Sequence, residues 1–300
     1  MNTRAGTGVG RWLGAGLLVL VGALLMGCDD DAFYRPDRFP YATPAHFHQK
    51  YEDVYFASRD GTRLHGWFVR AQGEPKATIV YFQGNTKNIA ANYSYVDWLP
   101  PAGYNVFAFD YRGYGESEGR PDRQGVHDDA LAALDYIAAR KDAGTDNLVI
   151  LGQSLGGAVA IVAATERKQH IRAVIIESAF SSYRAIARDR VSVVPLLGPL
   201  MYSLFPPPPG YDPIEYVGKI SPVPVLLIDG TADSVVPFAH SEQLYKAAGS
   251  PKELVVLQGG NHVEAFSRFL PQIRPIVLRF LQEALSGKPA IQDGIITVSP

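Results

Sequence analysis

Short, fully apolar runs recur along most of this chain, and they constrain its fold more than any other feature. Six of them are rich in Val, Ile and Leu: 77–82, 106–109, 148–151, 173–176, 225–228 and 254–257. Runs of this kind are typical of parallel strands that are covered on both faces. Amphipathic stretches at 128–140 and 263–285 predict helices. The alternation predicts an α/β fold with a doubly wound, mostly parallel sheet, whose ligands bind beyond the carboxyl ends of the strands.

The composition excludes several classes of protein. The chain has 300 residues, of which 47% are hydrophobic, so it can bury a large core. Its formal net charge of -2 argues against a dedicated nucleic-acid binder. Its one Cys excludes an intrachain disulfide framework and a Cys-rich zinc site. The pair His46 and His48 lacks a third clustered ligand, and no phosphate loop or dinucleotide fingerprint occurs, so we predict no metal and no cofactor.

The first residues read as a segment that is removed during export. Arg4 and Arg11 supply positive charge, and the run 12–26 carries no charge. That run is shorter than the ~20 apolar residues of a transmembrane helix and suits the core of a signal peptide. It ends with Leu-Met-Gly before the chain's single cysteine, Cys28. The segment resembles a bacterial lipoprotein signal, which predicts cleavage after residue 27 and a lipid on Cys28. An uncleaved anchor helix and an ordinary secretory signal are the alternatives.

A lipid-modified Cys28 would make the membrane a partner of this protein. Two acyl chains suffice for stable anchoring, and the domain would face the periplasm or the exterior. Asp29 follows directly and resembles the inner-membrane retention signal of enteric bacteria. We predict a tether over residues 28–50, one domain over 51–286 and a loose tail over 287–300. The sequence leaves the oligomeric state open.

Residues 180–220 interrupt the alternation of strands and helices, and we call them the cap segment. They contain a run of four prolines at 206–209, which favours an extended conformation and cannot be helical. We predict that the segment forms a short cap over the strand ends, and a long connector is the alternative. Before the first parallel run, residues 54–69 predict a hairpin with an Asp-Gly turn at 60–61.

The strongest chemical signal is Gly-Gln-Ser-Leu-Gly at 152–156, which lies between an apolar run and an apolar helical stretch. This strand–turn–helix context is the one that a nucleophile elbow requires. The turn is so sharp that side chains at its two outer positions would collide, and both positions are Gly. The central Ser154 is expected to take strained backbone angles that lift its hydroxyl clear of the sheet. We therefore predict Ser154 as a nucleophile.

A serine hydroxyl needs a base to remove its proton, and that base needs an acid to orient it. His262 is the predicted base, because it lies in a loop between the last apolar run and the C-terminal helical stretch. Asp233 is the predicted acid, since it lies on a loop five residues beyond the run that ends at residue 228. Glu177 is the rival acid. It directly follows its strand, where we expect backbone donors to hold it.

The negative charge of a tetrahedral intermediate requires preorganised hydrogen-bond donors, each of which contributes roughly 3–4 kcal/mol. The backbone N–H of Leu155, directly after the predicted nucleophile, is one predicted donor. The second is expected from the segment Gln-Gly-Asn at 83–85, which follows the apolar run 77–82. Its Gly84 allows close approach of the backbone, and the N–H of Asn85 is the predicted donor.

These motifs together resemble the α/β-hydrolase superfamily. The resemblance covers about residues 54–285 and is closest to the abhydrolase-domain serine hydrolases, which include proteins similar to acyl-protein thioesterases. It rests on the following segments: 82–85, 110–117, 152–157, 177–180, and the loops around Asp233 and His262. The order serine, acid, histidine also matches this superfamily. The chain departs from the family pattern at Gln83, where the family usually has His.

The resemblance implies an α/β-hydrolase fold with a short cap and an acyl-enzyme mechanism, because the predicted nucleophile is a serine. The expected substrate is a small acyl ester or an acylated molecule, cleaved at an ester, thioester or amide bond. Three functions stay open: a lipid-anchored esterase or thioesterase, a serine peptidase of the same fold, and a non-catalytic binding module of the cell envelope. Arg112, in the motif 110–117, is predicted to be structural.

Overall fold

The computed structural model describes residues 33–192, 197–204, 206–287 and 291–300. The predicted signal peptide, Cys28 and Asp29 lie outside the described residues. The strands are β1 Arg35–Pro36, β2 Tyr51–Ala57, β3 Arg63–Val69, β4 Thr78–Phe82, β5 Thr86–Lys87, β6 Asn105–Phe109, β7 Leu148–Gln153, β8 Ile171–Glu177, β9 Val225–Gly230, β10 Lys252–Leu257 and β11 Gly294–Val298. The helices are α1 Ile89–Asn92, α2 Arg123–Ala139, α3 Leu155–Arg167, α4 Tyr183–Ser192, α5 Leu197–Leu204, α6 Ala239–Ala247 and α7 Leu270–Leu285.

Within the described residues, nine strands form one sheet in the order β11-β10-β9-β8-β7-β4-β6-β3-β2. Strand β3 pairs antiparallel with β2 and β6, and the other neighbours pair parallel. The carboxyl ends of β4, β7, β8, β9 and β10 therefore meet at one edge of the sheet. The predicted doubly wound, mostly parallel α/β fold is confirmed.

Two apolar layers cover the two faces of this sheet. In β7, Leu148 and Ile150 join one layer, while Val149 and Leu151 join the other. The first layer also contains buried residues of α2 and α3, and the second contains buried residues of α7. Because alternate residues of a strand face opposite sides, a strand that is buried on both faces must be apolar throughout. This explains the continuous apolar runs in the sequence.

The C-terminal segment corrects one prediction. Residues 287–300 were expected to be a loose tail, but residues 294–298 form β11, which pairs parallel with β10 from Glu253↔Gly294 to Leu257↔Val298. The outer edge of β10 offers free backbone donors and acceptors. A short segment rich in β-branched residues can satisfy them.

The segment that was predicted as a tether lies on the domain from Phe33 onward. Phe33 and Tyr34 are buried, and β1 pairs parallel with β5. Neighbouring aromatic rings hold Phe33: its centroid lies 5.0 Å from that of Tyr183 and 6.4 Å from that of Phe180. Both of these residues belong to the cap segment, so the N-terminal segment and the cap are in contact.

The described part of the cap segment contains α4 and α5, and the proline run 206–209 after them forms neither helix nor strand. Two arginines hold the backbone of this run. Arg184 donates to the carbonyl of Pro207 at 2.9 Å, and Arg123 at the start of α2 donates to the carbonyl of Pro208 at 2.8 Å.

None of the helices in the described ranges combines the length and the apolar character needed to cross a bilayer.

Candidate active site

Ser154 is the single residue between β7 and α3, and it occupies the sharp turn that the sequence predicts. Its backbone angles are φ 54° and ψ −121°. A positive φ is costly for a residue with a side chain, on the order of 1–3 kcal/mol. A Cβ at Gly156 would lie 2.1 Å from the carbonyl oxygen of Phe82, and one at Gly152 would lie 2.8 Å from that of Gly156. Only glycine therefore fits at these two positions.

The structure brings Ser154, His262 and Asp233 into one hydrogen-bonded line. The Nε2 atom of His262 lies 2.9 Å from Oγ of Ser154, and its Nδ1 atom lies 2.7 Å from Oδ2 of Asp233. The side chain of Asp233 is fully buried, and that of His262 is 15% exposed. With the proton on Nδ1 directed at the carboxylate, Nε2 is free to accept the proton of the serine hydroxyl.

The loop after β9 fixes the orientation of the Asp233 carboxylate. Its Oδ1 atom accepts hydrogen bonds from the backbone N–H groups of Val235 and Val236, both at 2.8 Å. These two donors leave Oδ2 facing His262. The two bonds also satisfy a buried acceptor that would otherwise be costly to leave without partners.

Glu177, the rival acid, lies at the end of β8 and contacts other groups. Its carboxylate accepts the backbone N–H of Ala265 at 2.7 Å and the side-chain amide of Gln153. Gln153 in turn accepts a hydrogen bond from the hydroxyl of Tyr81. Burial raises the pKa of Glu177 to about 7. Glu177 thus connects the residue before Ser154 to the loop that carries His262, and Asp233 is the carboxylate that contacts the imidazole.

The loop after β4 lies beside Ser154, where the second oxyanion donor was predicted. A Cβ placed on Gly84 would be 3.7 Å from the Cβ of Ser154. The carbonyl of Asn85 accepts hydrogen bonds from the N–H of Arg35 and the hydroxyl of Tyr114, both at 2.9 Å. Leu155 is the first residue of α3, and the N–H groups of a first helical turn lack partners within the helix. The two predicted donors therefore belong to backbone segments that flank the serine.

Gln83 is part of a buried polar network that the sequence did not reveal. Its side-chain amide donates to Oδ1 of Asp110 at 2.7 Å, and its carbonyl oxygen accepts from Asn92 at 3.1 Å. Asp110 also accepts the backbone N–H of Ile89 at 2.9 Å. Both polar atoms of the glutamine side chain are thus hydrogen-bonded. Its place directly after a buried strand was the only signal that could have indicated this role.

Arg112 has the structural role that the sequence predicts. Its guanidinium binds the buried carboxylate of Asp129 at 2.8 Å and the exposed carboxylate of Asp60 at 2.9 Å. In the described ranges, no cluster of three or more His, Cys, Asp or Glu side chains could hold a metal ion.

A mostly parallel sheet with a serine at a strained strand–helix turn, and an Asp–His pair from the loops after β9 and β10, defines the class of α/β hydrolases. Comparison with known proteins supports the same class. The chain is 40% identical over 274 residues to the uncharacterised protein YfhR of Salmonella typhimurium, covering 86% of this chain and 89% of that one. It is 35% identical over 274 residues to the α/β-hydrolase domain-containing protein WAV2 of Arabidopsis thaliana, covering 84% and 87%. This protein belongs to the α/β-hydrolase family and is a hydrolase.

A family profile and solved structures extend the comparison. The profile described as serine aminopeptidase, S33, matches residues 73–209. The esterase Pf2001 of Pyrococcus furiosus superposes with a TM-score of 0.69 at 23% identity, covering 84% of this chain and 98% of that one. Est1E of Butyrivibrio proteoclasticus, solved with ferulic acid, gives a TM-score of 0.61 at 20% identity, covering 78% and 99%. At these identities the structural likeness shows the shared fold.

Proposed function

We propose that this protein is a serine hydrolase that cleaves carboxylic ester or thioester bonds through an acyl-enzyme on Ser154. The observation that carries the proposal is the line from Ser154 through His262 to Asp233, with contacts of 2.9 and 2.7 Å. A nucleophile within reach of a base, and a base oriented by a buried acid, is the geometry that acyl transfer requires.

Each step of the proposed reaction uses a described group. Nε2 of His262 takes the hydroxyl proton while Oγ of Ser154 attacks the carbonyl carbon. The oxyanion that forms faces the N–H groups of Leu155 and Asn85. Collapse of this intermediate breaks the bond to the leaving alcohol or thiol, which receives the proton from the imidazolium. Water then attacks the acyl-enzyme with the same base, which releases the acid and restores Ser154.

A fluorophosphonate probe tests the nucleophile. Wild-type protein should be labelled, and Ser154→Ala should abolish labelling and lower kcat by about 10⁴-fold or more while the domain stays folded. Ser178→Ala is the matched control, because the hydroxyl of this neighbouring serine donates to Asp229 at 2.9 Å. Labelling that persists in Ser154→Ala would contradict the assignment. Wild-type protein without any labelling would favour a non-catalytic binding module.

A serine peptidase is the second candidate, and the description of the matched family profile favours it. An aminopeptidase needs an acidic group for the substrate's amino terminus. Two carboxylates of the cap segment are already engaged: Asp189 contacts His240 at 3.0 Å, and Asp212 accepts the N–H of Tyr183 at 2.7 Å. Turnover of p-nitrophenyl esters of graded chain length, compared with aminoacyl-anilides, separates the two candidates. Preferred cleavage of the anilides would replace the esterase by the peptidase.

The proposal includes a lipid anchor at Cys28, which holds the domain on the outer side of a bacterial membrane. The support is the sequence of the first 28 residues, with its positive start, its charge-free run and its single cysteine. Wild-type protein should partition with membranes and into detergent, whereas Cys28→Ser should stay unlipidated and uncleaved. Recovery of wild-type protein entirely in the soluble fraction would contradict the anchor. Asp29 favours the inner membrane.

A further inference from the structure

One face of the cap segment carries exposed apolar side chains without charged neighbours in the sequence. Leu200 and Leu204 are 54% and 60% exposed, and they lie one helical turn apart on α5, so they share one face. Residues 191–210 contain no Asp, Glu, Lys or Arg. Exposed apolar residues that are grouped in this way mark a surface for binding a protein or a membrane.

The adjoining helix α4 is basic. It carries Arg184, Arg188 and Arg190 against one acid, Asp189, a balance of 3 − 1 = +2. All three arginines are exposed. The chain without residues 1–27, which hold two Arg and no acid, has a balance of 26 − 30 = −4. A basic helix on an acidic protein, next to exposed leucines, complements an apolar layer that is covered by anionic groups.

The first described residues of the chain pack on this part of the domain. Phe33, the first described residue, packs on Tyr183 at the start of α4. The guanidinium of Arg123 lies 3.9 Å from the centre of the Tyr183 ring and donates to the carbonyl of Pro208. Pro208 is four residues beyond Leu204, which corresponds to at most about 14 Å of chain. Arg123 therefore contacts both Phe33 and the segment that follows α5.

The length of chain from Cys28 to Phe33 is short compared with the width of the domain. Phe33 lies five positions after Cys28, a stretch that spans at most about 18 Å when fully extended. A domain with this number of residues has a radius of gyration of about 18 Å and is roughly 40 Å across. An anchor at Cys28 would consequently keep the cap side of the domain near the bilayer and the opposite side away from it.

We propose that the exposed side chains Arg188, Leu200 and Leu204 of the neighbouring helices α4 and α5, here called the cap face, bind the surface of a phospholipid bilayer with anionic headgroups. The proposal rests on the lipid anchor of the proposed function. The anchor raises the local concentration of lipid, so a contact that would be weak by itself becomes persistent. Because the cap segment follows directly after β8, which ends beside Ser154, this orientation turns the candidate active site toward acyl substrates in the membrane.

Fluorescence quenching of the full-length, lipidated protein tests this orientation. Leu200→Cys and Leu204→Cys each introduce one thiol for an environment-sensitive dye, while the lipid blocks Cys28. Ile295→Cys is the matched control, because Ile295 is an equally apolar residue, 61% exposed, on the edge strand β11. The variants are reconstituted in vesicles of phosphatidylcholine and phosphatidylglycerol that contain a nitroxide-labelled lipid. The dyes on α5 should be quenched several-fold more than the dye at position 295.

The outcomes separate this proposal from the anchor. Mass spectrometry of the N-terminal peptide shows whether Cys28 carries lipid. A lipidated protein whose dyes on α5 are quenched no more than the control would overturn the binding of the cap face and leave the anchor intact. An unlipidated Cys28 would overturn the anchor, and the orientation with it. Preferential quenching on α5 in a lipidated protein would support both.

Discussion

Replacing Asp233 by asparagine should inactivate the protein without unfolding it. The asparagine side chain keeps one oxygen. That oxygen must take the position of Oδ1, because Oδ1 of Asp233 accepts the N–H groups of Val235 and Val236 at 2.8 Å each. Turning the amide around would place an NH₂ group against two donors, at a cost of about 1–3 kcal/mol for each unpaired group. The NH₂ group must therefore face Nδ1 of His262.

The expected magnitude follows from the tautomer. A donor opposite Nδ1 moves the imidazole proton to Nε2, which lies 2.9 Å from the hydroxyl of Ser154. In that state Nε2 cannot accept the serine proton. The expected loss in kcat for Asp233→Asn is ~10⁴-fold, which corresponds to ~5.5 kcal/mol of barrier.

The assay is the hydrolysis of a p-nitrophenyl ester together with thermal unfolding by circular dichroism. Glu177→Gln serves as the matched control, since it also exchanges one buried carboxylate for an amide beside the site. Its kcat should fall far less, because Glu177 contacts Ala265 and Gln153 rather than the imidazole. If Glu177→Gln is inactive and Asp233→Asn turns over normally, the acid assignment is wrong.

Three further predictions concern stability. Burial raises the pKa of Glu177 from 4.5 to about 7, so the folded protein holds this proton more tightly than the unfolded chain. The protonated carboxyl contributes its full share to the free energy of unfolding below pH 4.5, and this share is lost as the pH rises to about 7. Over this rise, chemical unfolding should show wild type losing about 3 kcal/mol relative to Glu177→Gln. A difference between the two proteins that stays constant with pH would contradict the raised pKa. Gly156→Ala places a Cβ 2.1 Å from the carbonyl of Phe82 and should lower the free energy of unfolding by about 3 kcal/mol, whereas a melting temperature equal to wild type would refute the close approach. Arg112→Met leaves the buried carboxylate of Asp129 without its cation and should destabilise the fold by about 3–5 kcal/mol with KM unchanged; a raised KM in the folded variant would indicate a substrate contact instead.

The sequence by itself determined the elements that depend on local spacing. The apolar runs predicted the parallel strands, because a strand buried on both faces needs apolar side chains at every position. The Gly-x-Ser-x-Gly turn was predictable for the same local reason, since its two glycines and the flanking strand and helix lie within a few residues of Ser154. The position of His262 followed from the order of the strands, whose ends meet at one edge.

Only the tertiary structure decided which distant groups touch. The sequence left Asp233 and Glu177 as alternatives. The contact of Asp233 with His262 joins residues 29 positions apart, and that of Glu177 with Ala265 joins residues 88 apart. Likewise, the β-branched residues at 295–298 suit a strand, but only the free edge of β10 decides that they form one and where it pairs. Such contacts depend on how loops bend and on which edges stay open after the sheet has formed, and local patterns in a sequence do not encode either.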